Sequence, residues 1–383
     1  MSLAVLAVAL PFFAAEARAA SCIPSGDQSA INEALKGPGA EAVLCPEARF
    51  TLTGPVVFTA KGQQLYTQGK PTDKTRAALI VMDAGKPQAI LGHYSGVRVS
   101  HLLVDGNRRN LGGPFNAWAP ELIELGGHEP DGRGVSGQVV EWVRAYDPIG
   151  WSVLHLYESG KADSPCVDAS VTHNFFGPAG THGPRWPNGS GPWADGISLA
   201  CTRSVVAYNR IIDATDGGIV VFGAPGSTIE HNEIATTLDS YSSGQQLFGG
   251  INLVDWDPYG GNYEGTRVRF NTLDAEDGFM VIGIAMGQTT VGGRPERVLH
   301  GAVVEGNTFK GDRMGYAMAI GGVKNFVVKA NAFSTKHAGK PCEGNAAFAP
   351  YAVDPGQALG DGNAFQGGYR VGALKNAMGC GTP

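Results

Sequence analysis

The sequence lacks three features that would place it in common classes of protein. Charged residues make up only 17% of the 383 residues, and the formal net charge is −6, so there is no basic stripe of the kind that binds nucleic acid. The apolar run at the N-terminus ends after about a dozen residues, whereas a membrane span needs roughly 20. The cysteines show no spacing typical of a zinc site. We therefore expect neither a nucleic-acid partner nor a membrane anchor.

The N-terminal segment has the pattern of a signal peptide. Its apolar run is followed by small residues around Ala17-Arg18-Ala19, which predicts cleavage and removal of residues 1–20. We therefore expect a secreted protein, and six cysteines suit an oxidising compartment. Six cysteines allow 15 pairings, but closeness in sequence favours three disulfides: Cys22–Cys45, Cys166–Cys201 and Cys342–Cys380.

The stretch from Asp195 to Ile234 contains the same pattern twice. Asp195-Gly-Ile and Asp216-Gly-Gly-Ile lie 21 positions apart, and each is followed by a β-branched run that ends in an Asn turn. A period of this length is typical of stacked repeats, in which each unit is one coil of backbone. The apolar runs are short and are separated by Gly, Asn, Asp and Ser, which predicts strands and turns with no room for a helix.

An Asn followed two positions later by an apolar residue recurs about once per coil. We expect this Asn to adopt the left-handed backbone conformation at a sharp bend between two strands. Successive side chains would then hydrogen-bond to one another as a ladder. The residues in question are Asn174, Asn209, Asn232, Asn271, Asn307, Asn331 and Asn363.

The chain therefore divides into four parts. After the signal peptide, residues 21–75 are predicted to form an N-terminal cap and the first strands, with a short helix that begins at Ser25 or Asp27. Such a helix covers the open end of a solenoid. The coils are expected over 76–370, and residues 371–383 form a C-terminal tail.

Several of these motifs resemble the pectate-lyase-like superfamily of right-handed parallel β-helices. They are Val104-Asp-Gly-Asn, the strand starts at Asp195 and Asp216, and the Asn turns, and the resemblance covers roughly residues 75–370. It implies an all-β fold, a single-stranded right-handed parallel β-helix. Its members include polysaccharide lyases, glycoside hydrolases, esterases, epimerases and tailspikes, so the resemblance implies a polysaccharide substrate. We expect a monomer.

Two segments are similar to the polygalacturonases of this superfamily. Trp193-Ala-Asp195-Gly resembles their Asn-Thr-Asp-Gly strand, and Thr215-Asp216-Gly217 resembles their Asp-Asp strand one coil later. Thr215 and Gly217 flank Asp216, so the second carboxylate of that strand is absent. The resemblance implies catalytic roles for Asp195 and Asp216 and places Trp193 beside the substrate.

Asp195 and Asp216 are expected at the same point of successive coils, about 4.8 Å apart by strand spacing. Two carboxyl groups at that distance either share a proton or bind a cation. The first arrangement supplies a general acid with a base or nucleophile for glycoside hydrolysis. The second, completed by Asp239, would be a Ca²⁺ site. Hydrolysis by the proton-sharing pair needs no cofactor, whereas the cation-binding arrangement needs Ca²⁺.

The loop that follows the strand at 249–254 combines acids, aromatic residues and Gly. Aromatic faces stack on sugar rings and carboxylates bind hydroxyl groups, so we interpret this loop as a sugar-binding segment. Asp255 is expected to lie near the catalytic pair. The substrate-binding candidates of the loop are Trp256, Asp257, Tyr259 and Tyr263.

The loop before Asp195 contains His182, Arg185 and Trp186. His182 or Arg185 would serve as base and charge clamp in β-elimination from a polyuronate, whose carboxylate must be neutralised. Trp186 would contact the sugar. His155 and Tyr157, on the strand one coil earlier, are expected to face the same groove.

Three functions follow from these patterns. The leading hypothesis is a secreted enzyme that cleaves glycosidic bonds by carboxyl acid/base catalysis. The second is a polysaccharide lyase that acts on a polyuronate, with Ca²⁺ as an optional cofactor. The third, of a different class, is a non-catalytic carbohydrate-binding β-helix.

Overall fold

The computed structural model describes residues 22–111, 119–158, 163–181, 193–237, 246–291, 294 and 296–337. In this part the backbone winds as coils of three strands, and equivalent strands of successive coils pair in parallel. Three sheets result, which we call A, B and C in the order in which each coil visits them. The predicted all-β parallel β-helix is confirmed.

Sheet A contains ten strands of the described part. They are β1 (Glu41–Leu44), β4 (Gln64–Thr67), β7 (Arg98–Ser100), β10 (Val139–Glu141), β13 (Ser170–Thr172), β16 (Val205–Ala207), β19 (Thr228–Glu230), β22 (Arg267–Arg269), β26 (Val303–Glu305) and β29 (Val327–Lys329). The middle residue of each of eight consecutive strands is β-branched and buried, and these residues lie in one register column. The column consists of Val99, Val140, Val171, Val206, Ile229, Val268, Val304 and Val328. Branched side chains fit this pleated interior, which explains why such short runs form strands.

Sheets B and C are joined by one long strand, β27 (Thr308–Ile320), which pairs in both. The other strands of sheet B are β2 (Arg49–Leu52), β5 (Ala77–Val81), β8 (Leu102–Asp105), β11 (Arg144–Tyr146), β14 (Phe175–Phe176), β17 (Arg210–Ile212), β20 (Glu233–Ala235), β23 (Thr272–Asp274) and β30 (Ala332–His337). Those of sheet C are β3 (Val56–Phe58), β6 (Ile90–Gly92), β9 (Ile123–Gly126), β12 (Ser152–Tyr157), β15 (Asp195–Leu199), β18 (Gly217–Val221), β21 (Gln246–Leu253) and β24 (Phe279–Met286).

The remaining elements are short. A small two-stranded pair is formed by β25 (Leu299–His300) and β28 (Val323–Lys324). The helices are α1 (Gln28–Ala34), α2 (Arg108–Leu111) and a 3₁₀ turn at Gln288–Val291. No helix in the described ranges is long and apolar enough to cross a membrane.

Helix α1 covers the first coil, as the sequence predicted. Asp27 is the N-cap residue, because its Oδ1 accepts a hydrogen bond from the backbone N–H of Ser29 at 2.8 Å. Ile31 is fully buried in the core. The coils begin earlier than the expected boundary at residue 76, because β1 and β2 already pair with β4 and β5. The strands themselves agree with the first strands expected within residues 21–75.

The Asn ladder is confirmed over its described members. The Oδ1 of each Asn accepts hydrogen bonds from the backbone N–H and the Nδ2 of the preceding Asn, at 2.9–3.0 Å, from Asn174 to Asn331. The left-handed residue is the one before each Asn and not, as predicted, the Asn itself; His173 and Tyr208 have φ of 58° and 57°. Asn363 lies outside the described residues.

The left-handed residues before the ladder point outwards and stack on one another. Ring centroids are 4.6 Å apart between Trp142 and His173, 5.2 Å between His173 and Tyr208, and 5.0 Å between Tyr208 and His231. Phe270 continues the series. The bend between sheets A and B therefore carries amides on its inner side and aromatic rings on its outer side.

Two of the three predicted disulfides are present. Cys22–Cys45 ties the N-terminal segment to the first coil. Cys166–Cys201 joins consecutive coils, with a Cα–Cα distance of 4.7 Å. The expected pair Cys342–Cys380, the predicted tail and the predicted signal peptide lie outside the described residues, so they stay predictions.

Candidate active site

The outer face of sheet C brings together most of the described candidate residues. Strand pairing aligns His155 with Ser198, Ser198 with Val220 and Val220 with Asn252, across β12, β15, β18 and β21. All four side chains are buried. They form the floor of the candidate site.

Asp195 faces this floor because of an irregularity at the start of β15. Its Oδ1 accepts the backbone N–H of Gly217 at 2.8 Å, and its Oδ2 accepts the hydroxyl of Ser198 at 2.9 Å. A Cβ added to Gly196 would lie 2.6 Å from the Cγ2 of the core residue Ile211, so position 196 faces inwards. Asp195 and Ser198, three residues apart, therefore share the outer face, which strict alternation would not allow.

Asp195 and Asp216 are near one another, but they do not occupy the same position of their coils. Pairing of Ile197 with Ile219 places Asp195 opposite Gly217. The predicted alignment was wrong by one residue, because the repeat has 22 residues here and the two aspartates are 21 apart. Asp216 instead donates its backbone N–H to the carbonyl of Ala194 at 3.2 Å.

The carboxyl groups of this face act on one another electrostatically. Burial and the charge of Asp216 raise the pKa of Asp195 well above its ordinary value, although hydrogen bonds from Gly217 and Ser198 oppose the shift. Burial and the charge of Asp216 also raise the pKa of Asp255 to about 7, with smaller contributions from Asp257 and Glu158. Asp255 follows β21, one coil after Asp216, and Asp195 lies one coil before it. The charge of Asp216 therefore raises the pKa of a carboxyl group in each of the two adjacent coils.

Asn252 was not identified from the sequence, although it lies between these acids. Its Nδ2 and the Oδ1 of Asp195 both lie 3.0 Å from the point where a Cβ on Gly217 would stand. Its buried Oδ1 has no hydrogen-bond partner within the part of the chain that the structure describes. A buried polar atom without a partner is costly, so a hydroxyl donor from a ligand would be favourable here.

His155 lies on the floor as predicted, and the structure adds its partner. Its Nδ1 is 2.8 Å from the Oε1 of Glu121, and both side chains are buried. Burial alone would raise the pKa of Glu124, the neighbour of His155 in β9, but its hydrogen bonds with neighbouring side chains, that of His93 first, lower the pKa to about 2. Tyr157 lies at the half-buried end of β12, with its ring 5.6 Å from that of His155.

The loop 255–263 contributes to the site less than predicted. Tyr263 is fully buried, and its hydroxyl donates to the carbonyl of Val221 at 2.6 Å, so the prediction that it binds substrate was wrong. The hydroxyl of Tyr259 donates to the carbonyl of Ala200 at 2.7 Å, which fixes the loop to sheet C. These rings are structural because each phenol satisfies a main-chain carbonyl.

Two other residues of the loop stay accessible at the rim. Trp256 is half-buried, and the guanidinium of Arg297 lies 5.8 Å from its ring centroid. Asp257 is exposed and lies 3.3 Å from the same guanidinium. Trp193, also half-buried, packs beside Phe248 with the ring centroids 6.1 Å apart. These positions are compatible with the predicted contacts to a sugar.

Several predicted site residues cannot be placed. His182, Arg185, Trp186 and Asp239 lie outside the described residues, so their roles stay predictions. Within the described ranges, no group of three or more His, Cys, Asp and Glu side chains is arranged to hold a metal ion. The predicted Ca²⁺ site depends on Asp239 and is therefore untested.

Comparison with known proteins supports the fold. No protein-family model and no curated protein matches the chain. Among solved structures, the alginate lyase from Paenibacillus sp. str. FPU-7 is similar, with a TM-score of 0.52 and 16% identity over 82% of this chain and 98% of that one. The A-module of a mannuronan C-5 epimerase from Azotobacter vinelandii has a TM-score of 0.40 and 14% identity, over 81% and 90% of the two chains.

At a sequence identity of 16%, the similarity to the alginate lyase supports a shared fold and nothing more. The chain shares a parallel β-helix with a polysaccharide-active protein along nearly that protein's whole length. The parallel β-helix that the resemblance implied is thereby confirmed as the fold. Function has to be argued from the site.

Proposed function

We propose that the chain is a secreted enzyme that cleaves a polysaccharide at the outer face of sheet C. The observation that supports this most is the convergence of Asp195, Asp216 and Asp255 on one face, close enough that the charge of Asp216 acts on both others. The two disulfides are compatible with secretion. The structurally similar alginate lyase acts on a polysaccharide, which agrees with this class of substrate.

The reaction that the described carboxyl groups favour is hydrolysis of a glycosidic bond. With a pKa of about 7, Asp255 is protonated in about half of the molecules at neutral pH, and this form can donate its proton to the glycosidic oxygen as the bond to the anomeric carbon breaks. Asp216, as a carboxylate, either takes the proton of the attacking water or bonds to the anomeric carbon itself. Asp195 lies buried beside Asp216, and its hydrogen bonds hold it in place.

A second reaction, β-elimination from a polyuronate, is favoured by the likeness to the alginate lyase. Elimination needs a base beside the sugar carboxylate and an acid at the leaving oxygen. His155, oriented by Glu121, is the described residue best suited to act as the base. His182 and Arg185 remain the other candidates. Neutral forms of Asp195 and Asp255 would reduce repulsion of an anionic substrate in either reaction.

The products separate the alternatives. We expect new reducing ends from a panel of plant and algal polysaccharides, without the ultraviolet absorbance of an unsaturated sugar. Reducing ends together with that absorbance would instead establish elimination. Binding of a polysaccharide without formation of either product would favour the third hypothesis, a non-catalytic carbohydrate-binding β-helix.

Substitution tests the residues directly. Asp216→Asn and Asp255→Asn should each lower kcat by about 10²–10⁴-fold, the usual contribution of an acid or base, at an almost unchanged Tm. Asp168→Asn is the matched control, because that carboxyl group is 52% exposed, is already paired with Arg203 and is not part of the outer face of sheet C. It should retain nearly full activity. If Asp216→Asn and Asp255→Asn both retained activity, the catalytic roles proposed for these two residues would be wrong.

A further inference from the structure

The outer face of sheet B carries a cavity that the proposed reaction does not use. Its volume is about 390 Å³, within the range of small-ligand sites. It lies over β2, β5, β8 and β11, in the N-terminal coils. The lining residues are Glu47, Arg49, Lys74, Arg76, Ala78, Ile80, Leu103, Asp105 and Tyr146.

Strand register explains why a depression forms there. Arg49 is aligned with Ala78, Ala78 with Leu103, and Leu103 with Arg144. Two arginines therefore enclose two apolar side chains, and Ala78, the smallest of the four, lies beside Arg49. The row spans three coil spacings, or about 14 Å. In the next row, Ile80 and Tyr146 add apolar surface.

The cations of this region lack acidic partners. Among the described residues, no carboxylate lies within ion-pair distance of Arg49, Lys74, Arg76 or Arg144, although Glu47 and Asp105 line the same cavity. On sheet A the outward arginines are paired, as Arg98 is with Glu141 and Arg269 with Glu230.

The two carboxylates offset this charge only in part. Asp105 already accepts the backbone N–H of Asn107 and the hydroxyl of Tyr146, at 2.7 and 3.2 Å. Glu47 lies at the exposed rim. The buried Nε of Arg76 has no hydrogen-bond partner in the described ranges. Three cations and two carboxylates line the cavity, and Arg144 lies at the end of the same row, so the cavity is net positive and contains an unsatisfied donor, which favours an anion.

We propose that this cavity binds an acidic saccharide, with Arg49, Lys74 and Arg76 holding its carboxylates. Guanidinium groups match carboxylates through paired hydrogen bonds. The apolar floor at Ala78, Ile80 and Leu103, with the ring of Tyr146, suits the C–H face of a sugar. A small inorganic anion would leave that floor unused. The ligand that satisfies both features is a uronate oligosaccharide.

This site is separate from the catalytic face, since it lies on sheet B and the carboxyl groups lie on sheet C. It would retain an acidic polymer on the enzyme while another part of the polymer is cleaved. The inference depends only on sheet B, and it holds whether the reaction is hydrolysis or elimination.

Calorimetric titration tests it on the full chain carrying Asp216→Asn, in which we expect turnover to be about 10²–10⁴-fold slower. The probes are trimers of galacturonate and of mannuronate, with cellotriose as the neutral comparison. We expect a uronate trimer to bind, and Arg49→Gln with Lys74→Gln to weaken its Kd at least tenfold. Both side chains are exposed, so folding should be unaffected.

The matched control is Arg98→Gln with Arg269→Gln, which removes two outward cations that have acidic partners on sheet A. Its Kd should be unchanged. Equal affinity in the control and the test variant would overturn the proposal, and so would the absence of uronate binding. Displacement of the trimer by an equal concentration of sulfate would also overturn it, because the site would then recognise charge without sugar. Binding that persists while the chain shows no turnover on any polysaccharide would refute the proposed function only.

Discussion

Asp195 and Asp255 illustrate how one side-chain type acquires different properties from its surroundings. Asp195 is buried and accepts two hydrogen bonds, which favour its charged form. Among the described residues no donor reaches the carboxyl group of Asp255, so burial and the nearby acids determine its pKa. Both oxygens of Asp195 are engaged by Ser198 and Gly217, whereas the carboxyl group of Asp255 remains available to a substrate oxygen, so the ionisation of Asp255 should affect both activity and folding.

Stability should depend on pH through Asp255. Its pKa is about 7 in the folded chain and near the ordinary value in the unfolded one, so the stability it contributes is full below about pH 4 and is lost as the pH rises through 7. Asp255→Asn should therefore be more stable relative to the wild type at pH 8 than at pH 4. Urea unfolding at both pH values measures this. An equal difference at the two values would contradict the raised pKa.

The sequence identified the acids but not their geometry. Asp195, Asp216 and Asp255 could be chosen because Asp-Gly strand starts and the acidic loop are local patterns. Ser198 and Asn252 were missed because their outward orientation depends on strand register and on the irregularity at Gly196. Tyr263 was misassigned because a phenol that bonds a distant main-chain carbonyl looks, in sequence, like any loop aromatic.

At the scale of elements, the Asn ladder holds successive bends in register. Each interior Asn is at once a donor and an acceptor for its neighbours, and its Nδ2 also reaches a Val or Ile carbonyl. The spacing of these Asn residues varies from 23 to 39 positions, yet the bends still coincide. Insertions therefore lie elsewhere in the coil, and the recurrence of Asn made the ladder predictable.

Removing one member of the ladder should be costly. Asn232→Ala would leave the backbone N–H and the Nδ2 of Asn209 without their shared acceptor, and each unsatisfied buried group costs about 1–3 kcal/mol. We expect a loss of roughly 2–5 kcal/mol in the free energy of unfolding, measured with denaturant. The exposed Asn110 provides the comparison, because its side chain makes one hydrogen bond, to the Oδ1 of Asn107 at 2.8 Å, so Asn110→Ala should cost only about 1 kcal/mol. Similar values for both variants would show that the ladder contributes little.

At the scale of the molecule, the three faces carry different charge patterns. Sheet A has outward acids and bases in pairs, sheet B has unpaired cations in its N-terminal coils, and sheet C has interacting carboxyl groups. The sequence predicted the stack of coils because its repeats are local. It did not predict the cation cavity, because Arg49 and Arg144 are brought together only by the winding of the chain.

The disulfide between coils should stabilise the whole stack. Cys166–Cys201 closes a loop of 35 residues, for which chain entropy predicts about 3–4 kcal/mol. Cys166→Ala with Cys201→Ala should lower the Tm, and a reductant should lower the wild-type Tm by at least as much, because it also opens Cys22–Cys45. Differential scanning calorimetry with and without reductant measures both. A Tm of the double variant equal to that of the oxidised wild type would exclude this role.

The linked amides also restrict how such a chain can change in length. A duplicated stretch fits the stack only if it forms one complete coil and contains its own ladder Asn. A shorter duplication would place another side chain at the ladder position, and the amide of the preceding Asn would then lack its acceptor oxygen. Growth during evolution is thus limited to whole circuits, whereas loops that leave and re-enter away from the bend are free to vary in size.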